Sequence, residues 1–217
     1  GGASLIVEDN EEIGSISATS THDNPATVEI NSAATLTFGG NDNSTTFAGV
    51  ITGQGGLTKT GAGDFTLDSY DDANTTVFNG GSGNTFAGVF TVDDGRVILT
   101  GGHSIGDGAL VSMIKPTDKL TSLEVTETET IGGLESDANG VASETNVVEI
   151  AGSANLIVDQ AADTIYYGQI AGDGGLIKRG SGKLTLNNFG VDTTGDTPPG
   201  VTADESQYKG DTVIEAG

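Results

Sequence analysis

The chain has 217 residues, the length of one or two domains, and its 31 Asp and Glu against 8 Lys and Arg give a formal net charge of −23. Such an acidic surface repels phosphate backbones and anionic headgroups, which argues against nucleic-acid and membrane-surface partners. Cysteine is absent, which excludes disulfides, thiolate metal sites and a cysteine nucleophile, and the 35 glycines and 5% aromatic content point to short, turn-rich strands.

Taken along the chain, short strands are predicted at 34–38, 64–67, 89–92 and 96–99, each rich in β-branched or aromatic residues and bounded by Gly, Asn or Asp. No segment combines helical periodicity with capping residues. The four prolines fall between these strands, at Pro25, Pro116, Pro198 and Pro199. The pattern predicts an all-β fold without a transmembrane helix, because no apolar run approaches the ~18 residues that one needs.

The chain contains two tandem copies of one unit. Residues 4–7 (Ser-Leu-Ile-Val) correspond to residues 122–125 (Ser-Leu-Glu-Val) at an offset of 118, and a Gly-Gly-Leu-x-Lys-x-Gly-x-Gly motif occupies both 55–63 and 174–182, at an offset of 119. Three later anchors match at an offset of 122, namely Phe86 with Tyr208, Gly88 with Gly210 and Gly95 with Gly217. The anchors keep their order while a few residues enter between them.

This tandem repeat of short strands and glycine corners predicts a solenoid rather than a sandwich or a closed barrel. A unit of about 119 residues is too long for one coil, so each unit would comprise several coils. We expect a parallel β-helix whose coils stack about 4.8 Å apart, with apolar residues inside, Thr and Ser outside and Gly at the corners. Unit 1 covers residues 1–102, and unit 2, continuous with it, covers residues 103–217.

The segment from Phe47 to Leu67, with its second occurrence from Tyr167 to Leu186, resembles the passenger-associated transport repeat of bacterial autotransporters. Residues 13–16 and 131–134 are similar to a segment that often precedes this repeat, so the resemblance covers nearly the whole chain. It implies a right-handed parallel β-helix that is displayed on a Gram-negative outer membrane or released from it. Proteins of this kind commonly act as adhesins, surface coats or stalks, and no cofactor is implied.

We therefore expect a non-enzymatic structural or adhesive segment of a bacterial cell-surface or secreted autotransporter-like protein. It would be a rigid stalk that presents loops to a host cell, to matrix or to neighbouring copies of itself. The segment itself is not expected to insert into a membrane. End-to-end or lateral self-association is expected, because the open strand edges of a solenoid invite pairing.

The candidate interaction loops lie where the two copies differ most in length, at residues 68–85 and 187–207. Strands cannot absorb insertions without slipping register, whereas loops can, and the loops of repeat proteins often fall on one face and carry recognition. Replacing residues 69–85 with a Gly/Ser linker is therefore expected to spare the fold. The candidate contact residues are Tyr70, Asp71, Asp72 and Phe78 in the first loop and Asp192 and Asp196 in the second.

The alternative is a carbohydrate-active β-helix, either a polysaccharide lyase or hydrolase or a glycan-binding, tailspike-like module. The adjacent carboxylates at 71–72 and 93–94 are candidates for acid–base chemistry. Neighbours on a strand point to opposite faces, however, which argues against a working pair. Lys59 and Lys178 are the basic residues that recur between the copies, and each lies two residues before a motif glycine, which indicates a role in the repeat geometry.

Other chemistries have less support. The segment 180–183 (Gly-Ser-Gly-Lys) is followed by Leu184, where a phosphate-binding loop needs Ser or Thr. Residues 41–43 (Asn-Asp-Asn) crowd amide and carboxylate oxygens without a calcium-repeat period, so weak surface binding of Ca²⁺ is the most we expect. His22 and His103 have no counterparts in the other copy, and no Gly-x-Ser-x-Gly elbow accompanies them.

Overall fold

A computed structural model describes residues 2–19, 25–68, 84–114, 121–136, 146–187 and 209–215. Within these ranges the chain forms 21 strands and no helix. The strand pairings are parallel, and each joins one coil to the next. The chain is therefore a parallel β-helix, as its repeats and turns predict.

The strands form three faces that the chain visits in turn. Face I contains β1 (Ser4–Val7), β3 (Thr27–Ile30), β6 (Val50–Gly53), β13 (Glu129–Ile131), β16 (Asn155–Asp159), β19 (Gly175–Arg179) and β21 (Thr212–Ile214). Face II contains β2 (Glu11–Ile13), β4 (Thr35–Phe38), β7 (Gly56–Lys59), β9 (Val89–Val92), β11 (Leu110–Met113), β14 (Gly133–Ser136), β17 (Thr164–Tyr166) and β20 (Leu184–Leu186). Face III contains β5 (Thr45–Phe47), β8 (Phe65–Asp68), β10 (Gly95–Thr100), β12 (Thr121–Val125), β15 (Asn146–Ile150) and β18 (Gln169–Ala171).

Three positions in this cycle are filled by segments that are not strands. On face I, residues 84–87 and 103–106 occupy the two coils between β6 and β13, and the amide of Ala87 donates to the carbonyl of Gly53 at 2.9 Å. On face III, Ala18 precedes β5 and forms a single parallel bridge to Phe47. Stacking therefore continues where regular strand pairing is interrupted.

The core is a set of apolar columns that run along the helix axis. On face II, successive register partners place Leu36, Leu57, Phe90, Val111 and Leu134 one above another, and all five are buried. Burying each such side chain contributes roughly 1.5–3 kcal/mol. Since a strand alternates its side chains between two faces, the neighbouring positions point outward.

The outward row of face II is built of hydroxyl residues. Thr37, Thr58, Thr91 and Ser112 are successive register partners, and each is half-buried between its neighbours in the row. This arrangement confirms the expected division between an apolar interior and a Thr- and Ser-rich exterior. Coil length varies along the rod, since Thr45 pairs with Phe65, 20 residues later, and Leu57 pairs with Phe90, 33 residues later.

The two copies of the repeat are stacked with a rotation of one face. Strand β12 is the sequence counterpart of β1, yet β1 lies on face I and β12 lies on face III, where it pairs with β10. Each turn of the helix has three positions, one on each face. Counting the eleven strands after β1 and the three non-strand segments, β12 lies fourteen positions after β1, which is four and two-thirds turns. The repeat unit therefore does not contain a whole number of coils. Hydrogen bonding is continuous from unit 1 into unit 2.

The corners need glycine where two turns approach closely. Gly53 has φ of 102°, and a Cβ atom on it would lie 2.0 Å from the carbonyl oxygen of Ile30. Its counterpart Gly172 has φ of 96°, and a Cβ atom there would lie 2.1 Å from the carbonyl oxygen of Ile150. Both the backbone conformation and the lack of space exclude other residues at these positions.

Candidate functional site

The predicted contact residues lie outside the described residues: Tyr70, Asp71, Asp72, Phe78, Asp192 and Asp196. The strands that precede the two segments are described, and they are β8 on face III and its counterpart β20 on face II. The two candidate loops are thus attached at equivalent points of the unit but on different faces of the rod. The rotation of the second copy separates the two attachment points, while the faces that the segments themselves cover stay a prediction.

The motif lysine of the first copy is buried and holds a corner together. Lys59 is 1% exposed, and its ammonium donates to the carbonyl oxygens of Thr60 and Gly61, both at 2.7 Å, and to that of Asp94 at 3.2 Å. The first two oxygens belong to the corner after β7, and the third belongs to the next coil. A charged donor shared by three carbonyls fixes the stacking of the two coils.

The second copy repeats this arrangement in part. Lys178 donates to the carbonyl of Arg179 and, at 3.1 Å, to that of Gly180, and it remains half-buried. Gly61 and Gly180 both have φ of 72°. The recurrence of these lysines before motif glycines therefore reflects a structural role, as the sequence indicates.

The carboxylate pair at 93–94 is built into the same corner. Asp94 is 5% exposed, its Oδ1 atom accepts from the amide of Gly95 at 2.9 Å, and its carbonyl accepts from Lys59. The amide of Asp93 donates to the carbonyl of Lys59 at 2.9 Å. A carboxylate that is enclosed in this way cannot reach a polysaccharide in solvent.

The histidine that the structure describes does not form a nucleophilic site with its neighbour. His103 is half-exposed and lies 4.0 Å from Asp107, measured from Nδ1 to Oδ1. Ser104 is fully buried, and its hydroxyl donates to the carbonyl of Thr100 at 2.5 Å. His22 lies outside the described residues.

The Asn-Asp-Asn segment forms a turn that supports the next coil. Asp42 has φ of 57°, and its Oδ1 atom accepts from the amide of Ala62 at 2.8 Å. Asn41 Oδ1 accepts from the amide of Asn43 at 3.3 Å. Within the described ranges, no group of three or more His, Asp or Glu side chains converges in a way that could hold a metal ion.

An open cleft of about 580 Å³ lies beside the first position of face III. Its described lining carries one ionisable side chain, that of Asp68, and is otherwise small and neutral: Ser17, Ala18, Thr19, Thr46 and Ala48. Acid–base hydrolysis of a glycosidic bond uses two carboxyl groups, so this lining alone does not supply the chemistry.

A buried carboxyl group that the sequence did not mark as a candidate lies in β13. Glu129 in β13 is 1% exposed, and its two carboxylate oxygens accept from the amides of Ser104, at 2.9 Å, and Ile105, at 3.1 Å. Burial raises the pKa of Glu129 from 4.5 to about 7, because the loss of water outweighs the backbone hydrogen bonds that lower it. The carboxylate replaces strand pairing across an irregular coil of face I.

Asn84, two coils before Glu129 on face I, also bonds to backbone groups of the coils on either side of it. Its side-chain oxygen accepts from the amide of Ile51, and its side-chain nitrogen donates to the carbonyl of Ser104. It is 7% exposed. The expectation that residues 69–85 can be replaced without loss is therefore wrong at its end, because Asn84 joins the ladder; only residues up to 83 remain candidates for exchange.

No protein-family model, no curated protein and no solved structure matches this chain. None of the described residues belongs to a helix with the length and hydropathy that crossing a bilayer requires. Fold and internal repeat define the chain as a β-solenoid repeat protein of the parallel β-helix kind.

Proposed function

We propose that this chain is a non-enzymatic shaft of a bacterial cell-surface or secreted, autotransporter-like repeat protein, which presents its variable segments to a host cell, to matrix or to neighbouring copies. The observation that carries the proposal is that the buried polar side chains form hydrogen bonds within the rod. Lys59, Asn84 and Glu129 each bond to backbone groups of an adjoining coil, and the Asp94 carboxylate bonds to the amide of Gly95 within the corner that Lys59 joins. These side chains serve the stacking of the rod.

A continuous hydrogen-bonded ladder supports the role of a stiff spacer. Parallel pairing runs along face III from β5 through β18, across the junction of the two units. A solenoid whose coils contact only their neighbours transmits load along its axis and varies its loops at little cost to stability. The resemblance to passenger repeats supports the surface location.

The test replaces residues 69–83 with a Gly/Ser linker and keeps Asn84. We expect an unchanged melting temperature together with reduced binding to cells or matrix, or reduced self-association. A matched variant replaces residues 188–208, and a third extends the first replacement through Asn84 and is expected to lose stability. Undiminished binding and association in both loop variants would refute display by these segments.

A second assay separates the shaft from the enzyme alternative. Incubation with a panel of acidic and neutral polysaccharides, with and without Ca²⁺, is expected to give no shortening of the chains. Depolymerisation that is abolished by Asp71→Asn or Asp72→Asn would overturn the non-enzymatic proposal. The location is tested separately, by asking whether the full-length reading frame directs export to the cell surface.

A further inference from the structure

Glu129 is the acceptor for two backbone donors on a coil that lacks regular pairing. Residues 103–106 lie on face I between Asn84 and β13, and the amides of Ser104 and Ile105 both point to one carboxylate. The side chain has almost no contact with water. Its register partner on the next coil is the buried Leu156, so the opposite side of Glu129 is apolar.

The charged groups around Glu129 do little to offset the cost of burying an ionised carboxylate. The 103–107 segment supplies Asp107, whose negative charge opposes ionisation of Glu129, and the half-exposed His103, which lies beside Asp107. The residues before β13 supply Glu127, which approaches the corner at Gly102. From β16 the partner is Leu156, which carries no charge. An ionised carboxylate is thus held in an apolar setting by two amides.

The unit keeps this glutamate in both copies. Glu11 in β2 corresponds to Glu129 at the offset of 118 that also relates Ile13 to Ile131. Glu11 pairs in register with the buried Leu36, just as Glu129 pairs with Leu156. Glu11 is exposed, so the residue type recurs in both copies and the buried setting belongs to Glu129.

We propose that Glu129 makes the coil at residues 103–106 a pH-sensitive latch, which is closed in mild acid and opens more often at neutral and alkaline pH. An ionised carboxylate gains by moving into water, so ionisation favours the open coil. The neutral carboxyl group loses little by remaining buried, and the coil stays stacked on β13. The rod would then be stiffer at this point in an acidified environment than at neutral pH.

Amide hydrogen exchange tests the latch directly. Protection factors of Ser104 and Ile105, corrected for the intrinsic pH dependence of exchange, are measured in the intact chain between about pH 5.5 and pH 8, and we expect them to fall at least about tenfold over that interval. In Glu129→Gln, which keeps an acceptor and cannot ionise, the corrected protection should be independent of pH. Glu149→Gln, at an exposed position of β15, is the matched control and should retain the wild-type dependence.

Two results would overturn the proposal. One is a pH dependence in Glu129→Gln equal to that of the wild type. The other is a carboxyl titration of Glu129, followed by carbon NMR in the wild-type chain, with a midpoint close to that of an exposed glutamate. The titration needs no variant, so it decides the question even if Glu129→Gln fails to fold.

Discussion

Removing the buried ammonium of Lys59 is the most direct test of how the repeat holds its corners. Lys59→Met keeps the length and apolar character of the side chain and deletes the charge. The carbonyl oxygens of Thr60, Gly61 and Asp94 would then remain inside the structure without their shared donor. The variant should therefore lose stability although its apolar packing is nearly unchanged.

The magnitude follows from the number of bonds and from their burial. Hydrogen bonds to charged groups contribute about 1.5–3 kcal/mol each, and each buried acceptor left without a donor costs about 1–3 kcal/mol, so Lys59→Met should lower the unfolding free energy by at least about 3 kcal/mol. Lys178→Met removes two such bonds from a half-buried lysine. We expect it to cost only about 1–2 kcal/mol, because water can reach the carbonyls it leaves.

The measurement is urea unfolding of both variants and the wild type, followed by far-ultraviolet circular dichroism at one pH and salt concentration. The midpoint should fall clearly more in Lys59→Met than in Lys178→Met, with similar slopes. Equal losses in the two variants, or a loss below about 0.5 kcal/mol in Lys59→Met, would show that the ammonium is not what joins these coils.

Three further predictions concern stability. Gly53→Ala should destabilise the chain by more than about 2 kcal/mol in the same urea assay, because the added Cβ atom meets a backbone carbonyl at a residue with positive φ. The control Gly152→Ala should cost only about 1 kcal/mol, because Gly152 has φ of 46° but nothing lies within 4 Å of the added atom. Because the pKa of Glu129 is raised from 4.5 to about 7, its protonated form contributes stability that is complete below the lower value and is lost as pH rises through the higher one. The unfolding free energy of Glu129→Gln relative to wild type should therefore increase by about 3 kcal/mol between acid and alkaline conditions, and a flat difference would contradict this. With a net charge of −23, the wild-type melting temperature should rise with added NaCl near neutral pH, and coincident melts at low and high salt would rule out long-range repulsion.

The strands and the copy alignment were accessible from sequence. The runs at 34–38 and 89–92 became β4 and β9, because alternation of apolar and hydroxyl residues determines which side faces the core. The offset between the copies rises from 119 to 122 after the Gly-rich motif, and the structure confirms these three added residues. Asp93 donates to the carbonyl of Lys59, and Glu215, 122 residues later, donates to the carbonyl of Lys178.

The rotation between the copies could not be predicted from sequence. An alignment gives the number of residues between equivalent strands, whereas the face of a strand depends on the number of coils between them. Between described register partners the coils contain between 20 and 36 residues, so the length of a repeat does not reveal how many turns it makes. Asn84 and Glu129 were missed for a different reason, since polar residues are assigned to solvent by default. For Glu129 a signal existed: it lies two residues before Ile131 on one strand, and therefore on the same side as a core residue.

The rotation of one face per unit gives the rod a threefold screw. In an array of such units, the same surface point would appear on each side in turn and would return to its first orientation only after three units, or about 65 Å along the axis at the usual spacing of stacked strands. A flat substrate lying along one side would meet every third copy. Equivalent surfaces of such an array would thus face three directions rather than form a strip along one side.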